Sequence, residues 1–171
     1  ISTAGLSSHL YGGANAVGLY ATNGSNIKYN GTIDIGDGTT SGTGIYIGGS
    51  STVTLKGEVN LNGDNGIGTY VEAGSTFTFD SGSKMNFYGN GVGYYGVAGS
   101  IINDNGGIIN ANGNTVERVR SLNGIINITA DTTVAANNIL GHVINGEMNV
   151  NSGVTVNAGG NGIVGIFADG I

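Results

Sequence analysis

The 171-residue chain contains no proline, no cysteine and no tryptophan. Without cysteine it can form neither a disulfide framework nor a thiolate-bound zinc or iron–sulfur site. The missing proline fits strands that pair on both sides, because each residue of such a strand needs its N–H for a neighbour. Apolar stretches of the length that a transmembrane helix requires are also lacking, so we expect no transmembrane span in this segment.

Charged residues are scarce as well. Eleven acidic and five basic residues give a net charge of −6, and charged residues make up 9% of the chain. They are scattered, whereas a surface that binds a phosphate backbone needs clustered lysine and arginine. We therefore predict no nucleic-acid partner.

Glycine and asparagine dominate instead, with 35 and 23 residues, about a third of the chain together. Each interior glycine costs a helix about 1 kcal/mol relative to alanine. Collagen is excluded because the glycine spacing is irregular and proline is absent. Disorder is disfavoured because 39% of the residues are hydrophobic. The composition therefore favours a folded β-protein.

A triplet of glycine, any residue and an aromatic residue recurs along the chain. Its copies are Gly18-Leu19-Tyr20, Gly44-Ile45-Tyr46, Gly68-Thr69-Tyr70, Gly93-Tyr94-Tyr95 and Gly165-Ile166-Phe167. The first four aromatic residues follow one another at nearly equal intervals, whereas the interval from Tyr95 to Phe167 is three times as long. We therefore expect two degenerate copies in between, centred near Val119 and Val143.

Short alternating segments follow each triplet, such as Val53 with Leu55 and Val59 with Leu61 after Tyr46. Apolar residues that straddle one polar residue are typical of half-buried strands, and the Asn-Gly pairs at the joins suit tight turns. Three strands in each repeat of about 24–26 residues predict an all-β parallel β-helix of roughly six to seven coils, with residues 1–171 as a single segment. At about 4.8 Å per coil, such a rod is roughly 30 Å long.

Strand parity predicts the direction of the aromatic residues. On the strands that carry them, the residues at alternate positions to the aromatic ones are mostly aliphatic and are therefore expected to face the core, as in Val17-Leu19-Ala21, Ile67-Thr69-Val71 and Val92-Tyr94-Gly96. We therefore expect an external ladder of stacked rings, formed by Tyr20, Tyr46, Tyr70 and Tyr95. Two interpretations stay open: the stack stabilises the coils, which regular repetition favours, or the stripe binds a sugar or a protein partner.

The segment Glu117-Arg118-Val119-Arg120 breaks the pattern. If Val119 took the aromatic position, both arginines would point into the core, where unpaired charges are strongly disfavoured. We therefore expect a register slip or bulge that makes residues 114–121 protrude. Arg118 and Arg120 are then either solvated charges at a tolerated irregularity or, with Glu117, a small partner-binding patch.

No catalytic constellation is evident from the sequence. Glycoside hydrolysis needs two carboxylates about 5–10 Å apart, but the acidic residues share no obvious column, as with Glu58, Glu72, Asp80 and Asp104. His9 and His142 sit in no recognisable motif, and parity indicates that His142 faces inward. We predict no catalytic residue, no cofactor and no metal site.

The repeat style carries a resemblance to a known family. Segments such as Asn65-Gly66-Ile67-Gly68-Thr69-Tyr70, followed by Gly74-Ser75-Thr76-Phe77, resemble the passenger domains of large Gram-negative autotransporter adhesins. The resemblance covers nearly the whole chain. It implies a right-handed parallel β-helix that is exported through an outer-membrane barrel and displayed on the bacterial surface, where it binds a protein or glycan of host cells or other bacteria.

Three hypotheses for the function follow. The first is a non-enzymatic adhesive stalk segment, excised from a longer repeat array on the cell surface. The second is a β-solenoid subunit that associates end to end into an extracellular filament. The third and weakest is a carbohydrate-active β-helix enzyme.

Overall fold

The structure is a computed structural model that describes residues 8–134, 138–159 and 164–170. These residues form twenty strands and no helix. In chain order they are β1 (His9–Gly12), β2 (Val17–Ala21), β3 (Asn26–Tyr29), β4 (Thr32–Ile35), β5 (Thr43–Ile47), β6 (Thr52–Leu55), β7 (Glu58–Leu61), β8 (Gly66–Val71), β9 (Thr76–Phe79), β10 (Lys84–Phe87), β11 (Gly91–Gly96), β12 (Ile101–Asp104), β13 (Ile108–Asn110), β14 (Val116–Leu122), β15 (Ile125–Ile128), β16 (Thr132–Val134), β17 (Ile139–Ile144), β18 (Glu147–Val150), β19 (Val156–Ala158) and β20 (Val164–Asp169).

The strands pair in parallel, and neighbours within a sheet are three strands apart in the chain. A seven-stranded sheet runs β2-β5-β8-β11-β14-β17-β20, a six-stranded sheet β3-β6-β9-β12-β15-β18 and a five-stranded sheet β1-β4-β7-β10-β13, while β16 pairs with β19. The chain visits the three faces in turn, so the strands stack as a β-solenoid of about six turns. This confirms the predicted all-β parallel architecture.

Residues aligned across the seven-stranded sheet form one column, which we call the aromatic column: Tyr20, Tyr46, Tyr70, Tyr95, Arg120, His142 and Phe167. The steps between successive members are nearly equal, except that the step from Arg120 to His142 is shorter than the others. The two predicted degenerate copies exist near Val119 and Val143, with the aligned residue one position after the first and one position before the second. Arg120 and His142 take the aligned positions because the coils that carry them differ in length.

The interior is filled by alternate side chains from the three faces. In the second to fourth coils, counted from β1, these include the fully buried aliphatic and aromatic residues Ile33, Ile35, Ile45, Ile47, Val53, Leu55, Val59, Leu61, Val71, Phe77, Phe79, Met85 and Phe87. Burying each such side chain is worth about 1.5–3 kcal/mol. The stacked apolar columns therefore supply the main stabilisation of the solenoid.

The alternation is interrupted at the glycine of the repeated triplet. In β5, Gly44 and Ile45 are both buried before the partly exposed Tyr46. A Cβ on Gly44 would lie 2.7 Å from the carbonyl oxygen of Gly68 and would clash with Val59. The glycine two residues before Tyr46 is therefore required by close packing inside the coil.

This interruption places the residue before the glycine on the outer surface. Val17 is 46% exposed, and Ile67 and Val92 are partly exposed. The predicted inward orientation of these three residues is wrong, because strand parity changes at the glycine. After the glycine the alternation resumes, and Ile45 and Ile47 are fully buried.

Asparagine side chains at outward-facing positions of the other two sheets form two ladders. The first consists of Asn60, Asn86 and Asn110, and the second of Asn103, Asn127 and Asn149. In the first ladder, Nδ2 of Asn86 donates to Oδ1 of Asn60 at 2.7 Å, and Nδ2 of Asn110 donates to Oδ1 of Asn86 at 2.6 Å. Other asparagines form corners, such as Asn23, which has a φ of 57°. Asparagine therefore links coils as well as turning the chain.

Candidate functional site

The four tyrosines of the aromatic column lie on the outer surface, as predicted. Tyr20 and Tyr46 stack with ring centroids 4.8 Å apart and planes 9° apart, and Tyr46 and Tyr70 with 5.4 Å and 11°. Tyr70 meets Tyr95 edge to face at 5.4 Å. Tyr20 is 61% exposed, and the other three rings are partly exposed. The column is both a stack between coils and a continuous outer surface.

Glu72 sits beside the column and accepts a hydrogen bond from the hydroxyl of Tyr46 through Oε1. This hydrogen bond is the largest influence that raises the pKa of Tyr46 to about 12. The Tyr46 phenol is therefore a neutral donor at physiological pH. Burial raises the pKa of the neighbouring Tyr70 as well.

The column continues beyond the tyrosines with cationic and aromatic groups. The guanidinium carbon of Arg120 lies 5.9 Å from the ring centroid of Tyr95, within the range of a cation–π contact. The rings of His142 and Phe167 meet edge to face at 4.9 Å. His142 is partly exposed, so the predicted inward orientation is wrong. Leu140 and Gly141, the two residues before it, are both buried, so the alternation of inward and outward side chains shifts by one residue at this point.

Residues 114–121 do not protrude, contrary to the prediction. Most of the segment belongs to β14, which pairs with β11 on one edge and with β17 on the other. The predicted bulge was inferred from the cost of placing two arginines in the core. Only Arg118 points inward, with 5% of its side chain exposed, whereas the side chain of Arg120 is 41% exposed.

Arg118 is accommodated in the interior by Asp104. Its Nε donates to Oδ2 of Asp104 at 2.8 Å, its Nη2 donates to Oδ1 at 3.1 Å, and Nη2 also donates to the carbonyl oxygen of Gly107 at 2.8 Å. The hydroxyl of Tyr94 donates to Oδ2 of Asp104 at 2.5 Å. The group is a buried ion pair whose polar atoms are hydrogen-bonded, and it links β12 to β14 through their side chains.

The surroundings alter the pKa of two members of this group. Burial raises the pKa of the Tyr94 phenol well above its usual value. Burial alone would lower the pKa of Arg118, but its interactions with Tyr94 and Asp104 raise the pKa above its usual value. Arg118 therefore stays charged and Tyr94 stays neutral, so the network keeps one arrangement of protons.

Glu117 forms a separate cluster on the outer side of the same strand. Its Oε2 accepts hydrogen bonds from Nε and Nη2 of Arg120 at 2.9 and 2.5 Å. Its Oε1 lies 3.3 Å from Nδ1 of His142 and has no hydrogen-bond partner within the described part of the chain. Only 6% of the Glu117 side chain is exposed. The structure thus joins Glu117 to Arg120 and separates both from Arg118.

An open cavity of about 440 Å³ adjoins this cluster. Corner residues and outward residues of four successive coils line it, namely Asn65, Gly66, Ile67, Asn90, Gly91, Val92, Thr115, Glu117, Arg120 and Ile139. Ile67, Val92, Glu117 and Ile139 are aligned neighbours in the seven-stranded sheet. A polar end and an aliphatic wall therefore face the same space.

Sequence reasoning named Glu117 and both arginines but missed Asp104 and His142 as partners. A signal for Asp104 exists, because it lies one repeat after Phe79, with which it pairs, and therefore falls in a core column. His142 follows Arg120 by less than a full repeat, and this short coil concealed its alignment.

No protein-family model, curated protein or solved structure matches this chain. Its class is therefore defined by its own geometry, as a parallel β-solenoid with one outward aromatic column and a cavity beside it.

Among residues 8–134, 138–159 and 164–170, no helix has the length and apolarity needed to cross a membrane. The same residues include no group of three or more histidine and acidic side chains placed to hold a metal ion.

Proposed function

We propose that this chain is a non-enzymatic segment of a bacterial cell-surface adhesin of the autotransporter type, acting as a stalk that also mediates attachment. The observation that carries the proposal is the aromatic column, which runs along the outer surface of all seven strands of one sheet. Exposed aromatic and apolar stripes of this kind mark interaction surfaces. The partner is a protein or glycan on host cells or other bacteria.

The way the coils are held together supports display outside the cell. Successive coils are linked by the tyrosine stack and the two asparagine ladders, which need neither a disulfide nor a metal. A chain without proline and cysteine also folds without slow prolyl isomerisation or disulfide exchange. These properties suit a polypeptide that crosses a membrane unfolded and folds at the surface.

Surface labelling of intact bacteria tests the proposal. Antibodies raised against the 171-residue chain are expected to label unpermeabilised cells that produce the full-length parent protein, and their Fab fragments are expected to reduce attachment to host cells. Labelling only after permeabilisation would contradict the surface location. Cleavage of a polysaccharide by the purified chain would contradict the non-enzymatic assignment.

End-to-end assembly into an extracellular filament is the second candidate. The observation that favours it is the parallel pairing of every coil with the next along three faces, a pattern that can continue from one chain to another. Light scattering against concentration separates the two functions. Growth into long fibres would support the filament and overturn the stalk, whereas a constant monomer mass would do the reverse.

A further inference from the structure

The cavity beside Glu117 has the features of a ligand site. A carboxylate oxygen is buried at its polar end, where it lies 3.3 Å from Nδ1 of His142 but forms no hydrogen bond in the described part of the chain, although buried polar atoms in folded proteins are nearly always paired. Oε1 of Glu117 is that atom, and Glu117 lines the cavity. A ligand that brings a donor to Oε1 would complete the pairing, which is favourable because the carboxylate is already desolvated.

The charges at this end indicate a neutral ligand. The carboxylate of Glu117 is matched by the guanidinium of Arg120, bound through Nε and Nη2, and His142 approaches from the other side at 3.3 Å. A cationic ligand would face Arg120, and an anionic ligand would face Glu117. A hydroxyl group can donate to a carboxylate and accept from a guanidinium without adding charge.

The remaining walls fit the other side of a sugar ring. Ile67, Val92 and Ile139 supply aliphatic surface, and Asn90 supplies an amide at the corner. A volume of about 440 Å³ lies within the usual range for small-molecule sites, about 300–1,000 Å³. A pyranose has vicinal hydroxyls on its rim and C–H groups on its faces, so it can use the polar end and the aliphatic wall together.

We propose that the cavity lined by Glu117, Arg120, Asn90, Val92, Ile67 and Ile139 binds a neutral sugar unit of a surface glycan. Glu117 accepts from a ligand hydroxyl and the aliphatic residues pack against the ring. The proposal rests on the adhesive function proposed above and names its ligand as a saccharide. The tyrosines of the aromatic column are not required for this contact.

Ligand-observed NMR and calorimetric titration of the 171-residue chain test the site. The probes are neutral hexose and N-acetylhexosamine oligosaccharides, a uronic-acid oligosaccharide and a lysine-rich peptide. We expect binding of a neutral oligosaccharide, weakened about tenfold or more by Glu117→Gln, because one charge-assisted hydrogen bond is lost. Val92→Phe is expected to abolish binding by filling the cavity.

Val17→Phe is the matched control, because Val17 occupies the same column as Val92 and does not line the cavity. Its binding should equal that of the parent chain. Far-UV circular dichroism and the thermal midpoint must match across all variants, and Val17→Phe reveals any general effect of an added ring on the sheet.

Several results would overturn the proposal. They are no binding of a neutral saccharide by the folded chain, a preference for the acidic saccharide or the peptide, or equal binding by the parent chain, Glu117→Gln and Val92→Phe. Such a failure leaves the adhesive function standing if antibodies still label intact cells and block attachment. Saccharide binding without surface labelling would instead retain the site and refute the adhesin.

Discussion

Arg118 and Asp104 meet in the interior of the solenoid although they lie on different faces of the coil, with Nε of Arg118 2.8 Å from Oδ2 of Asp104. The two side chains replace apolar or small residues of the repeat. Asp104 is aligned with Phe79 and, one coil earlier, with Leu55. Arg118 occupies the position that Gly93 has in the preceding coil. At this point of the interior, an ion pair between two neighbouring faces therefore takes the place of apolar packing.

We expect Asp104→Asn to destabilise the protein by about 3–5 kcal/mol, because it leaves the buried charge of Arg118 without a counter-ion. The free energy of unfolding in urea measures the effect. Arg118→Met is expected to act similarly by stranding the carboxylate of Asp104. Full stability of either single variant would contradict a paired, desolvated network.

A triple variant supplies the control for this network. Tyr94→Phe, Asp104→Leu and Arg118→Leu together remove all the charges and hydroxyls of the pair, using leucine as the chain itself does at Leu55 and Leu140. Its stability should lie near that of the parent chain, because replacing a complete buried ion pair by apolar residues is often neutral or favourable. A loss as large as that of the single variants would show that packing, not charge, causes the destabilisation.

The fold could be predicted because each coil repeats the same apolar and glycine positions, so the period is visible without knowledge of the pairing. The direction of Tyr20 and of its equivalents followed from parity. Parity failed at Val17, Ile67 and Val92, since close packing of the glycine reverses it and this contact between coils leaves no local pattern. Sequence alone therefore located the column but not the outward aliphatic wall beside it.

The candidate site was only partly predictable for a related reason. A buried arginine is unfavourable by itself, and the partner that makes it acceptable, Asp104, lies on another face of the coil. The short coil between Arg120 and His142 also displaced the expected alignment. Both errors concern contacts between distant residues, which spacing alone does not reveal.

Tyr46 should ionise late in an alkaline titration, with a pKa of about 12 instead of 10.0. Between these values the unfolded chain releases the proton and the folded chain keeps it, so this tyrosine stabilises the fold below pH 10 and its contribution is lost as the pH rises to about 12. Absorbance of the phenolate measures the ionisation, and Tyr46→Phe assigns the step to this residue.

Glu72→Gln is the test of the cause. It removes the anionic acceptor of the Tyr46 hydroxyl, so the pKa of Tyr46 should fall toward 10.0 and the alkaline loss of stability should shrink. An unchanged titration curve would mean that Glu72 is not the group that raises the pKa of the Tyr46 hydroxyl.

Asn86 connects its neighbours through three side-chain hydrogen bonds, to Oε1 of Glu58 and Oδ1 of Asn60 at 2.7 Å each and from Nδ2 of Asn110 at 2.6 Å. Asn86→Ala leaves these groups without that partner and should cost about 1–3 kcal/mol of unfolding free energy. Asn149→Ala, at the exposed end of the other ladder, should change it by at most about 0.5 kcal/mol. Equal effects would contradict a role for the ladder interior.

Tyr70→Ala tests what the aromatic column does. Tyr70 contacts two rings, Tyr46 and Tyr95, and each aromatic pair is worth about 0.5–1.5 kcal/mol, so the variant should lose about 1–3 kcal/mol in urea unfolding. Tyr20→Ala removes one contact and should lose about half as much. Tyr88→Ala controls for removing an exposed tyrosine outside the column and should be nearly neutral.

The same three variants separate stacking from attachment when they are displayed on cells. If the column is the adhesive surface, attachment falls for Tyr20→Ala even at a temperature where the variant remains fully folded, because Tyr20 presents the most exposed ring of the four tyrosines. If the rings only hold the coils together, attachment follows the folded fraction and Tyr20→Ala binds like Tyr88→Ala. In that case attachment must use another surface, and the cavity beside Glu117 is the one to test next.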